Sequence, residues 1–225
     1  MARDNSPQVR QKAQLARRQG KRASHDRILI VSEGSKTEPN YFHEIRQKYR
    51  LHTANVAVHH CALGTAPIQV VQYAKSLFEN GDVKKQIQPR AFERVYAVFD
   101  RDDHRTYFDA LGSALTLDGY LRNDNKQSVI FKAIASVPSF ELWLLLHYED
   151  IQGPIHRDEV MRRLRGHIPH YAKGAVGAFA TTCNHLGIAT TRAENLAKRF
   201  TAHDGSEPFT AINELVNLLL TLKKT

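Results

Sequence analysis

The sequence predicts an α/β protein with a mostly parallel sheet, helices on both faces, and a C-terminal helical layer. Three observations carry that expectation. From residue 27 to about residue 135, short β-rich apolar runs alternate with amphipathic segments, the rhythm of β-α units feeding a parallel sheet. Past Ser139 the strand signals stop and only helical patterns remain. A chain of 225 residues with 42% hydrophobic and 24% charged content can build a real core, as one large domain or two small ones, which excludes a collagenous, low-complexity or wholly disordered polymer.

Each element has its own signal. Arg27-Ile-Leu-Ile-Val-Ser32 reads as a buried strand. Thr37 reads as a helix cap, and Tyr41, Phe42, Ile45 and Tyr49 share one face of a helix over 38–50. Asn55-Val-Ala-Val-His59 is a short strand, and Ala66 to Glu79 a helix with Ile68, Val71, Ala74 and Phe78 in register. Pro89 marks a turn before Arg94-Val-Tyr-Ala-Val-Phe99, the clearest strand of all. A helix from about Tyr107 to Leu117 and a strand from about Ser128 to Ala135 complete the alternation. Phe140 to His147, Arg157 to Arg165, Ala175 to Leu186, Ala193 to Phe200 and Phe209 to Leu222 then read as helices. A boundary near Pro154 divides the chain into an arm (1–25), an α/β domain (26–153) and a helical region (154–225). The pattern leaves open whether that last region is a small domain or a layer on the sheet.

The formal net charge is +9, and residues 1–25 hold seven Lys or Arg against one acid, leaving the rest of the chain nearly neutral. A basic arm on such a body is the electrostatic footprint of a phosphate-rich partner, because each cation seated on a phosphate releases condensed counterions. The plainer alternative is a solvated tail. No stretch approaches the roughly 18 apolar residues of a membrane span, and the basic start has no apolar centre for a signal peptide. Cys61 and Cys183 are the only cysteines, too few for a disulfide framework or a paired-cysteine zinc site. Together these predict a cytoplasmic protein without membrane contact.

In an open parallel sheet, ligands bind beyond the carboxyl ends of the strands, so the residues following each strand carry the chemistry. Strand one runs into Glu33-Gly34-Ser35-Lys36-Thr37-Glu38, and the 94–99 strand into Asp100-Arg101-Asp102-Asp103-His104. The last runs through Ser136-Val-Pro-Ser139 toward Glu141 at the start of a helix. Carboxylates thus converge on one rim. Side chains alternate along an extended backbone, so Asp100 and Asp102 are expected to point the same way and share a hard cation such as Mg2+, which takes one or two carboxylates plus water and phosphate oxygens. Glu33 would complete that site or act as a general base. A polar loop paired internally through Arg101 and Arg105 is the alternative. Gly34-Ser35-Lys36-Thr37 is not a phosphate loop, because that motif needs Gly directly before the Lys and another five residues earlier. Lys36 at a helix N-terminus still suits milder phosphate contact. Lys173 is a candidate second cation. His59-His60-Cys61 lacks zinc-site spacing, and Trp143 in a Leu-rich run reads as core.

Ile30-Val-Ser-Glu33-Gly34 followed by Val98-Phe-Asp100-Arg-Asp102 resembles a Toprim domain, the catalytic module of topoisomerases, primases and OLD-type nucleases. More closely, Glu33-Gly-Ser-Lys36-Thr37-Glu38-Pro39-Asn40-Tyr41-Phe42, Phe99-Asp-Arg-Asp-Asp-His104 and Ser136-Val-Pro-Ser-Phe140-Glu141-Leu-Trp-Leu-Leu-Leu146-His147 resemble the signatures of the RloB-like family. The likeness runs from about Arg27 to the C-terminus, with weaker motifs at Tyr171-x-Lys173 and Pro208-x-Thr210. It departs at Val137 and Phe209, where Asn and Ser are expected. The resemblance implies a Toprim-like fold and a Mg2+- or Mn2+-dependent phosphoryl-transfer site. Glu33, Asp100 and Asp102 would be its metal-binding acids and Glu141 a further one; beside them Lys36, Arg101 and Lys173 are expected to act as catalytic cations that stabilise the developing negative charge. It also implies a nuclease acting on RNA or DNA as an effector of prokaryotic anti-phage defence, with an AAA-type ATPase as partner and a homo-oligomer allowed. The competing expectations are a nucleotide phosphotransferase and an ATPase-associated adaptor without activity of its own.

Overall fold

The structure is a computed structural model that describes residues 26–222 apart from 53–54, 103 and 206. The basic arm lies outside the described residues. Five strands form one sheet in the order β2-β1-β3-β4-β5: β1 (Ile28–Ser32), β2 (Val56–His60), β3 (Arg94–Asp100), β4 (Ile130–Val137) and β5 (Phe209–Thr210). The first four are parallel, and β5 pairs antiparallel with β4. This is the mostly parallel α/β architecture the alternation predicts, consistent with the Toprim-like expectation.

Strand alternation divides the sheet into two apolar faces. Leu29, Val31, Val95, Ala97, Phe99 and Phe131 pack under α2 (Pro67–Asn80) and α3 (Tyr107–Leu117). Ile28, Ile30, Val58, Tyr96, Val98 and Ile134 pack on the opposite side under α1 (Thr37–Lys48) and α4 (Glu141–Leu145). That second core continues into α5 (Arg157–His167), α6 (Ala178–Thr182), α7 (Leu186–Ala197) and α8 (Ile212–Thr221). The C-terminal helices therefore share a core with the sheet.

Four expected helices come out differently. Where helices over 175–186 and 193–200 are expected, α6 ends in a 3-10 turn at Cys183–His185 and one helix runs from Leu186 to Ala197. Gly187 and the β-branched pair Thr190-Thr191 weaken the helix signal there, but Leu186, Ala189, Ala193 and Leu196 bury one stripe and override it. The helix expected over Phe140–His147 contracts to Glu141–Leu145. The helix expected from Phe209 begins at Ile212, because Phe209 and Thr210 form β5 opposite Val137 and Ser136. A two-residue strand has no periodicity to read. The two positions that depart from the RloB-like pattern, Val137 and Phe209, are thus cross-strand partners.

Candidate metal centre

The sheet register brings three strand ends together. Beyond β1, the Glu33 N–H donates to Val98 O of β3 (2.8 Å), and the Asp100 N–H donates back to Glu33 Oε2 (3.1 Å). Asp100 closes β3 opposite Ser136 of β4, and the Arg101 N–H donates to Ser136 O (2.9 Å). The extended backbone on which the Asp-x-Asp argument rests ends there: Asp102 has φ +37°, and the His104 N–H turns back to Arg101 O (3.2 Å). That turn places His104 Nε2 3.5 Å from Glu33 Oε1. Among the described residues, the one cluster at ligand spacing is Glu33, Asp102 and His104, whose ligand atoms lie within 4.8 Å of one another. Asp102 also pairs with Arg157 Nη1 at 3.2 Å.

Asp100 belongs instead to a buried carboxylate group with Glu38 and Glu141. Their exposures are 9%, 6% and 2%. Burial, then the charges of Glu38, Glu141 and Glu33, raise the Asp100 carboxyl well above its ordinary value. Burial pushes Glu38 up to about 7, with Glu141 and Glu33 adding to it. Glu33 is also pushed to about 7, chiefly by burial, with Asp102 raising it further against the Asp100 hydrogen bond and Lys173. Glu141 accepts from Ser139 Oγ (2.8 Å) and from the Tyr171 hydroxyl (3.2 Å), and Lys173 Nζ lies 3.4 Å from it. Burial opposes the charge of Lys173, but Glu141 and Asp100 outweigh it and raise its pKa. Crowded acids of this kind are kept ionised by a cation. Two carboxylates and an imidazole are a donor set that suits a divalent ion, so the residues fit the group that the sequence implies.

Two glycines let the rim close. A Cβ on Gly34 would sit 2.2 Å from Glu38 Oε2, so a larger residue there would displace that carboxylate from its place against the β1 turn. Gly174 has φ +80°, and a Cβ there would meet the Lys36 side chain at 2.9 Å. Lys36 is exposed and sits immediately before α1. Thr37 is not the cap: it is the first residue of α1, and its Oγ1 accepts the Gly174 N–H (2.9 Å), holding the Lys173 loop against the helix.

The rim therefore gathers Glu33, Asp100, Asp102, Glu141 and Lys173, with Lys36 at its edge. His104 and Glu38 stand in it unselected by sequence reasoning, although both lie inside the quoted motifs. Their signal was position: one turn past β3, and the first turn of α1 facing inward. Trp143 is core as expected, fully buried with its Nε1–H donating to the Tyr41 hydroxyl (2.8 Å). His59 lies outside the cluster, and burial lowers it to about 4.

Fold and site together define an α/β protein with an acidic, metal-capable rim at the carboxyl edge of its sheet. A family model described as RloB-like protein matches residues 28–219, and the chain belongs to the RloB-like family. No curated protein and no solved structure matches it.

Proposed function

We propose that the chain is a nuclease hydrolysing phosphodiester bonds of RNA or DNA with Mg2+ or Mn2+. The observation that carries this reading is the convergence of Glu33, Asp102 and His104 within 4.8 Å at the rim where parallel-sheet proteins bind ligands. Glu33, Asp102 and His104 would hold the ion. Bound there, it supplies charge neutralisation for the phosphate and a water of lowered pKa. The Asp100 amide fixes Glu33 Oε2 and leaves Oε1 toward His104. Behind them Asp100 and Glu38 hold and pass protons at neutral pH, taking one from the attacking water and returning one to the leaving oxygen. Lys173, against Glu141, and Lys36, at the start of α1, bring positive charge to the developing phosphate anion. Family membership supports the wider role of an anti-phage effector working with an AAA-type ATPase in the cytoplasm. No described helix is long and apolar enough to cross a membrane.

The test is cleavage of single- and double-stranded RNA and DNA in Mg2+ or Mn2+, with and without the cognate ATPase. Cleavage lost in excess chelator is expected. Undiminished cleavage in chelator excludes the mechanism, and turnover of free nucleotides alone would favour the phosphotransferase.

The basic arm should supply nonspecific affinity. If four or five of its seven cations contact phosphates, deleting residues 1–25 flattens the slope of log K against log salt by roughly 0.7 to 0.9 per lost contact. Saturated single-turnover cleavage should persist, because no rim acid lies in that segment. A salt titration of binding, run beside single-turnover cleavage, checks both. An unchanged slope returns the arm to a solvated tail.

A further inference from the structure

Next to the metal-capable cluster the structure opens a cavity of about 360 Å³. Its apolar walls are Val137 and Pro138, at the end of β4, and Pro154 and Ile155, in the segment leading to α5. Its polar walls are Arg101, Asp102, His156 and Arg157. Two guanidinium groups and an apolar slot in one recess are the chemistry that takes a phosphate together with a flat or furanose ring. The volume sits near the lower bound for small-molecule pockets, room for one nucleotide and not for a duplex.

The recess carries two guanidinium groups against one carboxylate. Arg157 Nη1 reaches Asp102 at 3.2 Å, so a seated phosphate would have to compete with that carboxylate for Arg157. Arg101 stacks over Tyr107 and Phe108, with its guanidinium carbon 5.9 and 5.6 Å from the ring centroids, which fixes the side chain without consuming its donors. Among the described residues its Nη1 is buried and has no hydrogen-bond partner, and a buried donor of that kind is costly unless a ligand accepts from it.

We infer that this cavity is a nucleotide subsite: it seats one nucleoside monophosphate unit of a polynucleotide, with the ring against Pro138 and Ile155 and the phosphate on Arg101 and Arg157. The inference rests on the nuclease reading and deepens it. Asp102 is common to the cavity and the cluster, so the seated unit neighbours the phosphate to be cut, and the subsite selects which nucleotide flanks the break. Substrate preference is therefore set by Val137, Pro138, Pro154 and Ile155 and not by the acids.

The experiment is equilibrium dialysis of the full chain in excess chelator against nucleoside 5′-monophosphates, unphosphorylated nucleosides and inorganic phosphate. Monophosphates should bind at least about tenfold tighter than either fragment, since both halves of the recess are then filled. Arg157→Gln, at a half-exposed side chain, should weaken monophosphate binding about tenfold, the loss of one charge-assisted contact. Ile155→Trp should block the slot, with circular dichroism confirming the fold. Equal affinity for monophosphate and inorganic phosphate overturns the inference, as does binding indifferent to both substitutions. Each arm is paired with nucleic-acid cleavage. A parent that binds monophosphate but cuts no nucleic acid upholds the subsite and removes the nuclease reading. A parent that cuts, with monophosphate binding unaffected by Arg157→Gln and Ile155→Trp, removes the subsite alone.

Discussion

Glu33→Gln should lower metal-dependent cleavage by roughly 10²- to 10⁴-fold, the range expected when a reacting centre loses a ligand or a proton acceptor. Glu33 is where the two carboxylate groups of the rim meet. Its Oε1 faces His104, its Oε2 accepts from the Asp100 amide, and its charge raises both Glu38 and Asp100. The same substitution should make the chelated protein less sensitive to alkaline pH. The folded pKa of Glu33, about 7, lies above its ordinary 4.5, so its contribution to stability is full below 4.5 and is lost as pH rises through 7. Glu38 behaves alike. His59 and His147, lowered to about 4 by burial, work in the opposite sense, but they lose stability only as pH falls below their ordinary 6.5. Between pH 6.5 and 8.5 the carboxylates therefore dominate. In thermal melts, the parent should lose more stability across that window than Glu33→Gln, and Mn2+ should restore the parent more than the variant. A variant cleaving within tenfold of the parent would show that Glu33 does not serve the reaction.

Trp143→Ala should cost about 3–5 kcal/mol, the largest expected effect of a single core substitution here. All five residues of α4 are buried, and Trp143 is 0% exposed. Its removal leaves a cavity in the second core and leaves the Tyr41 hydroxyl without its Trp143 donor, while His147 loses a ring partner at 4.8 Å. For a chain of this length the melting temperature should fall by roughly 10 °C. Trp143→Phe keeps most of the packing and should cost about 1–2 kcal/mol. Because α4 begins with Glu141, cleavage should fall with Trp143→Ala even at temperatures where the variant stays folded. Equal stability of parent and Trp143→Ala would contradict the packing described for this face.

The sheet was legible because parallel strands buried on both faces read as continuous apolar runs, and those runs placed Glu33, Asp100 and Glu141 at one edge. The detail beyond β3 was not legible. Period-two reasoning holds only while the backbone stays extended, and the chain leaves that conformation at Asp102, which brings His104 back toward Glu33. Glu38 escaped for a different reason: an acid in the first turn of a helix has a ready explanation in the helix dipole, and nothing in the spacing reveals that Gly34 lets it turn inward. β5 was hidden because two residues carry no pattern, and their pairing depends on β4, more than 70 positions away.

One polar stripe of α1 has a wider consequence. Thr37, Asn40 and Glu44 follow one another along the helix, and all three grip the segment after Tyr171: Thr37 and Asn40 at Gly174, Glu44 at the amides of Gly177, Phe179 and Ala180. Glu44 thereby caps α6 from outside it. The same helix carries Glu38 on its inner side, so the start of α6, the lysine loop and the acid chamber are stitched to a single rod. They form one heritable unit: a chimaera that took residues 168–222 from another family member would have to take 37–44 with them, or the lysine loop would dock without its stitches.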